Sequence, residues 1–280
     1  MAYTNFIPSV WAESINRGLE RSCVFVEDCN RQYEGAVSKK GDSVHILGIG
    51  KPTIKKLERT NASGNIDEAE EVEDNSVILN IEQIRYFNYK VGDIDKAQAV
   101  GGLMDALSAE TSEGLANEMD KYIADLAIDS GVAKLNSAAL VATKENVLDI
   151  LDDAIEKLQE NDVNFASGIT VTVSPRFYKL FKQAYIDKNT DNTGDLKNGK
   201  VAMYGNITIK LSNNVCKTED GTVDNIMIRT KRAIAFVNPF THTEAYRPEK
   251  SFADAVKGYA LFDGKVVRPK EIININVKYA

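Results

Sequence analysis

The sequence predicts one discontinuous α+β body that carries an extended β-hairpin. Three observations predict it. One long helical pattern spans residues 96–130, alternating strand patterns lie on both sides of it, and no repeat or linker cuts the chain between them. The 280 residues are enough for one large domain or two modest ones. A chain of this length buries a sizeable core without staples. Its 43% hydrophobic and 27% charged residues fall in the range of soluble globular proteins.

Residues 1–30 read as an arm. Pro8 and the cluster Phe6, Ile7 and Trp11 precede a helical pattern with Ile15 and Leu19 four apart on one face. Large apolar residues so near a terminus need a cover, either the chain's own core or a neighbouring subunit.

Residues 33–92 read as a β-excursion. Asp42-Ser43-Val44-His45-Ile46-Leu47 is strand-like, and Val77, Leu79 and Ile81 alternate with Ile78, Asn80 and Glu82. Between them Thr60-Asn61-Ala62-Ser63-Gly64-Asn65 forms a polar tip of turn residues. One flank is basic, with Lys51, Lys55, Lys56 and Arg59. The other is acidic, with Asp67, Glu68, Glu70, Glu71, Glu73 and Asp74. Antiparallel pairing sets these flanks side by side, where each opposite-charge pair contributes about 0.2–1 kcal/mol. A long charged hairpin is marginal alone and gains from lying on a partner. The competing reading is a solvated charged loop.

In the long helix Ala97, Val100, Met104 and Leu107 form a stripe, continued by Leu115, Met119, Tyr122, Ile123 and Leu126. Gly101, Gly102 and Gly114 each cost up to about 1 kcal/mol relative to alanine, so a weak or bent point is expected. Gly131 is the expected stop. An αβ region follows. Thr143 is expected to cap a helix to about residue 159, with Val147, Ile150, Leu151, Ile155 and Leu158 buried. Next come a strand over 169–173 and a helix from Ser174-Pro175 to about Tyr185. Residues 187–200 are a polar loop. Strands are expected at 207–211, 225–228 and 233–237, and again within 252–279.

Catalytic chemistry is hard to build from this chain. There are two histidines, His45 in an alternating strand and His242 in a turn-like Thr-His-Thr, so no site needing several imidazoles can form. Cys23, Cys29 and Cys216 lack zinc spacing, and free thiols in a reducing cytoplasm are the simplest reading, with a Cys23–Cys29 bridge as the alternative. Gly48-Ile49-Gly50-Lys51-Pro52-Thr53 lacks the spacing of a phosphate loop. The acidic run 67–74 lacks the calcium-loop pattern. Asp152 and Asp153 could be paired catalytic carboxylates, but their place on an amphipathic helix favours a solvated face. No metal, cofactor or catalytic residue is therefore assigned. The net charge of -7 disfavours whole-chain binding to nucleic acid. The first residues lack a signal-peptide core, and no apolar run is long enough to span a membrane.

Several segments together resemble one family. Phe6-Ile7-Pro8-Ser9-Val10-Trp11 is similar to the N-terminal arm of the major capsid proteins of tailed bacteriophages. Val24 through Tyr33-Glu34-Gly35 to Gly41-Asp42-Ser43-Val44-His45-Ile46 resembles their entry into an extended loop. Phe87-Asn88-Tyr89-Lys90-Val91-Gly92-Asp93-Ile94-Asp95, with Gln98-Ala99, resembles the return into a spine helix. Met203-Tyr204-Gly205 before Ile207, and Ser212-Asn213-Asn214, resemble the later αβ domain. Arg232-Ala233-Ile234-Ala235-Phe236, Glu244-Ala245-Tyr246-Arg247, Phe252-Ala253-Asp254 and Lys265-Val266-Val267-Arg268-Pro269 resemble the closing strands.

The resemblance implies an α+β Hong Kong 97-like capsid fold. It places an N-terminal arm at 1–32, an extended β-hairpin loop with entry strands at 33–92, and a peripheral domain with the long spine helix at 93–139. An axial αβ domain occupies 140–245, and closing strands at 246–280 return to the peripheral domain. It implies a non-enzymatic coat protein of the virion, assembled in the bacterial host cytoplasm. The partners are other copies in hexamers and pentamers, a separate scaffolding protein and a portal. Double-stranded DNA is enclosed without specific binding, and no membrane is involved. The expected intersubunit contacts are Phe6, Ile7, Trp11, Lys51, Lys55, Lys56, Arg59, Asp67, Glu68, Glu70 and Glu71.

Some relatives carry a scaffolding segment ahead of the arm; here the arm starts at residue 1, which implies a separate scaffold or an already matured chain. The loop at 187–200 is too short for the extra domain of larger relatives. Some relatives crosslink a loop lysine to an asparagine; Lys55 and Lys56 are available, but nothing in the sequence marks them as reactive. An encapsulin-like compartment shell shares the fold and is the alternative. A tail-tube protein would be smaller and would lack the long helix.

Overall fold

The structure, a computed structural model, describes residues 23–34, 43–49, 74–92, 103–163, 168–188, 201–204, 207–249 and 252–279. A 3-10 turn, Val26–Asp28, comes before strands β1 (Ser43–Ile49), β2 (Asp74–Asn80) and β3 (Gln83–Gly92) and the long helix α1 (Leu103–Asp125). Then come β4 (Ala133–Lys134), β5 (Leu140–Ala142), helix α2 (Val147–Glu160), β6 (Ile169–Val173) and helix α3 (Pro175–Lys188). The chain continues through β7 (Val201–Tyr204), β8 (Ile207–Leu211), β9 (Cys216–Lys217) and β10 (Val223–Thr230). It closes with β11 (Ile234–Tyr246), β12 (Ala253–Val266) and β13 (Ile272–Tyr279). The mixed α+β class is as the sequence predicts.

Of the expected stripe, helix α1 buries Leu115, Met119 and Ile123 and half-buries Leu107 and Tyr122, with Ala116 and Ala124 buried beside them; Ala97 and Val100 lie outside the described residues. It runs unbroken through Gly114, because burial of Leu115, Met119 and Ile123 outweighs the roughly 1 kcal/mol that one glycine costs. The helix stops at Asp125, earlier than Gly131, and tightens into a 3-10 turn, Leu126–Ile128, in which Asp129 N donates to Leu126 O. Gly101 and Gly102 lie outside the described residues.

Helix α2 starts later than Thr143 predicts. Asn146 precedes its first residue, and its Oδ1 accepts the Thr143 backbone N–H at 2.8 Å, so the capping region folds back on itself. Val147, Ile150, Leu151 and Leu158 are buried and Ile155 half-buried. In α3, Ser174 Oγ accepts the Phe177 N–H at 3.4 Å, and Pro175 takes the first helical position, as expected.

Among the described residues the strands form three sheets. The largest follows the order β4-β13-β10-β6-β8-β7, with β5 also on β13 and β9 on β10. Every residue of β6 is buried, so both faces of the sheet are covered there. Its core joins β6, β10 and β13 to α2, α3 and the buried stripe of α1. A second sheet has the order β11-β12-β3. His242 lies inside β11 opposite Tyr259, not in a turn. The flanking Thr243 is buried while His242 is exposed, so Thr-His-Thr is a half-buried strand whose polar residues imitate a turn.

The third sheet is the pair β1-β2, antiparallel from Ser43↔Asn80 to Ile49↔Asp74. Val44, Ile46 and Leu79 form its buried side, as the alternation predicts, and with Ile81 just beyond β2 they pack on Ala235, Val237 and Leu261 of the β11–β12 hairpin. All three cysteines are free and buried, so the Cys23–Cys29 bridge is absent.

Candidate assembly surface

The three-stranded sheet has two unlike faces. On the inner face Phe87 packs against the main core, and Arg85 Nε lies 3.5 Å from Glu118 Oε2 of α1. Gly258 is required on this face. A Cβ there would meet Phe87 Cζ at 2.5 Å and the His242 carbonyl oxygen at 2.6 Å.

Among the described residues the outer face is open beyond the point where β1 and β2 cover Leu261. His242, Tyr259 and Tyr86 lie opposite one another across β11, β12 and β3. The His242 and Tyr259 rings are 5.9 Å apart, and Tyr86 is 81% exposed. The next row is Glu244, Lys257 and Asn88. Lys257 Nζ lies 3.2 Å from Glu244 Oε2 and 5.0 Å from the centre of the Tyr246 ring, whose hydroxyl donates to Asn88 Oδ1 at 3.1 Å. Phe252, 89% exposed, precedes β12 at the end of the sheet. A face rich in tyrosine, with balanced charge, is suited to contact with another protein surface. The sequence reading missed it, although the alternation of Tyr86, Asn88 and Lys90 with Phe87, Tyr89 and Val91 was visible.

Among the described residues reactive groups do not gather. Among the described residues no group of His, Cys, Asp and Glu could hold a metal ion, and no helix is long and apolar enough to cross a membrane. His45 is exposed on β1, and Asp152 and Asp153 are exposed on α2. Burial, with Asp120 adding to it, pushes the Cys23 thiol up to about 12. Burial, reinforced by Asp125, pushes Cys216 up to about 12, and Cys29 is raised by burial against the pull of Arg229. Neutral thiols of this kind are poor nucleophiles.

The contacts expected at Phe6, Ile7, Trp11, Lys51, Lys55, Lys56, Arg59, Asp67, Glu68, Glu70 and Glu71 lie outside the described residues. Of the charged flanks the described residue is Asp74, paired with Ile49 at the far end of the β1–β2 ladder.

No protein-family model and no curated protein matches the sequence. Solved structures do match it over nearly the full chain. One from Mycobacterium phage Che8 is 29% identical and covers 90% of each chain with a TM-score of 0.73. The capsid structure of the cyanophage P-SCSP1u is 16% identical, covers 92% of this chain and 88% of its own, and has a TM-score of 0.71. A virus-like particle from Pyrococcus furiosus is 15% identical, covers 95% and 98%, and has a TM-score of 0.61. The chain carries the phage capsid fold, and the family it resembles is that of the tailed-bacteriophage major capsid proteins.

Proposed function

We propose that this chain is the major capsid protein that assembles with copies of itself into the icosahedral head enclosing the genome of a tailed bacteriophage. The observation that carries the reading is the match to phage capsid structures along about nine-tenths of the chain. The role is structural and not enzymatic. In Hong Kong 97 terms, α1 is the spine helix of a peripheral domain over 93–139 and β1–β2 is the root of the extended loop within 33–92. The arm is residues 1–32, the axial domain 140–245, and the closing strands 246–280. Hexamers and pentamers form first, with a separate scaffolding protein and a portal, in the host cytoplasm. The acidic subunit, with a net charge of -7, encloses DNA without adhering to it.

Electron microscopy of the purified chain, with and without its scaffolding protein, tests the reading. Closed particles or isolated pentamers and hexamers support it, and a monomer that stays inert with the scaffold rejects it. The basic flank is proposed to meet acidic residues of a neighbour. Replacing Lys55 and Lys56 together by glutamate is expected to cut particle yield about tenfold or more, because like charges facing each other in an interface cost several kcal/mol. The subunit should stay soluble and folded; normal shells would refute this contact. Removing residues 1–12 tests the arm in the same assay.

A second reading is an encapsulin-like compartment shell, which shares the fold; the match to the Pyrococcus furiosus virus-like particle over 95% of this chain fits either reading. Particle contents separate the two: packaged DNA for a phage head, captured enzyme for a compartment.

A further inference from the structure

Helix α1 carries two buried polar joints that the packing of an apolar core would not require. The first holds the root of the β1–β2 hairpin. Asp263, buried on β12, accepts the Tyr122 hydroxyl of α1 on Oδ1 at 2.6 Å and the Gly264 N–H on the same oxygen at 2.7 Å. Its Oδ2 accepts the backbone N–H of Glu82 at 3.0 Å. Glu82 and the fully buried Ile81 are the link between β2 and β3, where the hairpin leaves the body. The β11–β12 ladder also shifts register beside Asp263, between Val237 and Phe240. Burial and the Asp263 carboxylate both push the Tyr122 phenol up, so it remains a donor.

The second joint holds residues 24–26. Asp120 accepts Val24 N on Oδ2 at 2.7 Å, and Phe25 N and Val26 N on Oδ1 at 3.0 and 3.2 Å. From the other side Arg229, fully buried on β10, donates to Phe25 O at 2.5 Å and to Cys29 Sγ at 3.4 Å. Lys210 on β8 adds contacts to Glu27 Oε2 at 2.7 Å and Asp28 Oδ2 at 2.9 Å. Asp120 and Tyr122 are two residues apart, which puts them about 200° apart around the helix. The helix is thus clasped from opposite sides.

We propose that α1 is a common mount, with Asp120 and the Tyr122–Asp263 pair as positioning residues that fix how residues 24–26 and the root of the β1–β2 pair are oriented on the body. This rests on the shell reading given above. Burying carboxylates gains little net stability, but directed hydrogen bonds specify an orientation that sliding apolar contacts do not. The leverage is large. From Ser43 to Ile49 the strand extends about 20 Å at roughly 3.3 Å per residue, so a tilt of about 10° at the root displaces the far end by about 3.5 Å. Such a shift is enough to break a complementary interface.

Tyr122→Phe is the informative variant, because it deletes the hydroxyl and keeps the ring, which packs edge-on against Phe262 at 5.7 Å. Asp120→Asn, which turns an amide N–H toward a backbone N–H, tests the other joint, and Glu160→Gln on the exposed end of α2 is the control. Each full-length chain is measured by thermal unfolding, by hydrogen exchange of the free subunit and by electron microscopy of its particles. The expected result for Tyr122→Phe is a folded subunit whose β1–β2 amides exchange about tenfold faster, as loss of one hydrogen bond to a charged group implies. Capsomers should still form, but particles should be open or of scattered diameter. Unchanged exchange at β1–β2, or particles of the parent's diameter, overturns the proposal even if Asp120→Asn fails to fold. A parent chain that forms no particles with its scaffold overturns the shell reading instead, and the exchange data still decide whether the joint fixes the hairpin.

Discussion

Arg229 shows how a single residue can be decided by its surroundings. Its side chain is fully buried, lies 5.7 Å from the centre of the Phe25 ring, and bonds to a carbonyl and a thiol. The nearby Asp120 carboxylate balances its charge, and burial pushes that carboxyl up against the pull of three backbone amides and the guanidinium. Neither residue stands out in the sequence, because nothing local marks a charge as buried. The cysteines behave differently. Their free, reduced state was the simplest reading of their spacing, and burial accounts for their inertness. Labelling with a thiol reagent at pH 8 is expected to modify none of the three in the folded subunit and all three after denaturation. The sign of the pH dependence follows from the raised values. Above the ordinary thiol value of 9.0 the unfolded chain loses protons that the fold keeps, so stability falls as the pH rises toward about 12. Rapid labelling of the native subunit would contradict this burial.

At the scale of elements, periodicity served best where one face is apolar. The strand over 169–173 and the strand over 207–211 have the bounds the sequence predicts, and the two pair in parallel. Capping signals were sound at Ser174-Pro175 and misleading at Thr143, where the competing side chain of Asn146 moved the start of the helix. The length of β11 was hidden because its second half alternates polar residues on a solvent-facing side. Gly258 tests the packing of that sheet on α1. Gly258→Ala is expected to destabilise the subunit by about 1–3 kcal/mol, since one obstacle is backbone and cannot rotate away. Urea unfolding of the variant measures it, and an unchanged midpoint would mean that the two strands part at little cost.

For the whole molecule the two core clusters set a hierarchy of stability. The main cluster joins the large sheet to all three helices, whereas β1–β2 rests on Ala235, Val237 and Leu261 through one side of a two-stranded ribbon. Amides of β1 and β2 are therefore expected to exchange at least about tenfold faster than those of β6 and β10. Equal protection would mean that hairpin and body open as one unit.

The sequence by itself determined the α+β class, the order of long helix and strands, the base of the hairpin and the absence of a catalytic motif. Each follows from local periodicity, turn chemistry or residue type, and the order of motifs pointed to the capsid family. Tertiary structure alone decided which polar residues are buried, as with Asp120, Asp263 and Arg229. It also decided that Tyr86, Tyr259 and His242 share one open face. Those pairings join residues far apart in the chain, between Asp120 and Val24 or Asp263 and Glu82, and no local pattern encodes a contact that only the closing of the fold creates.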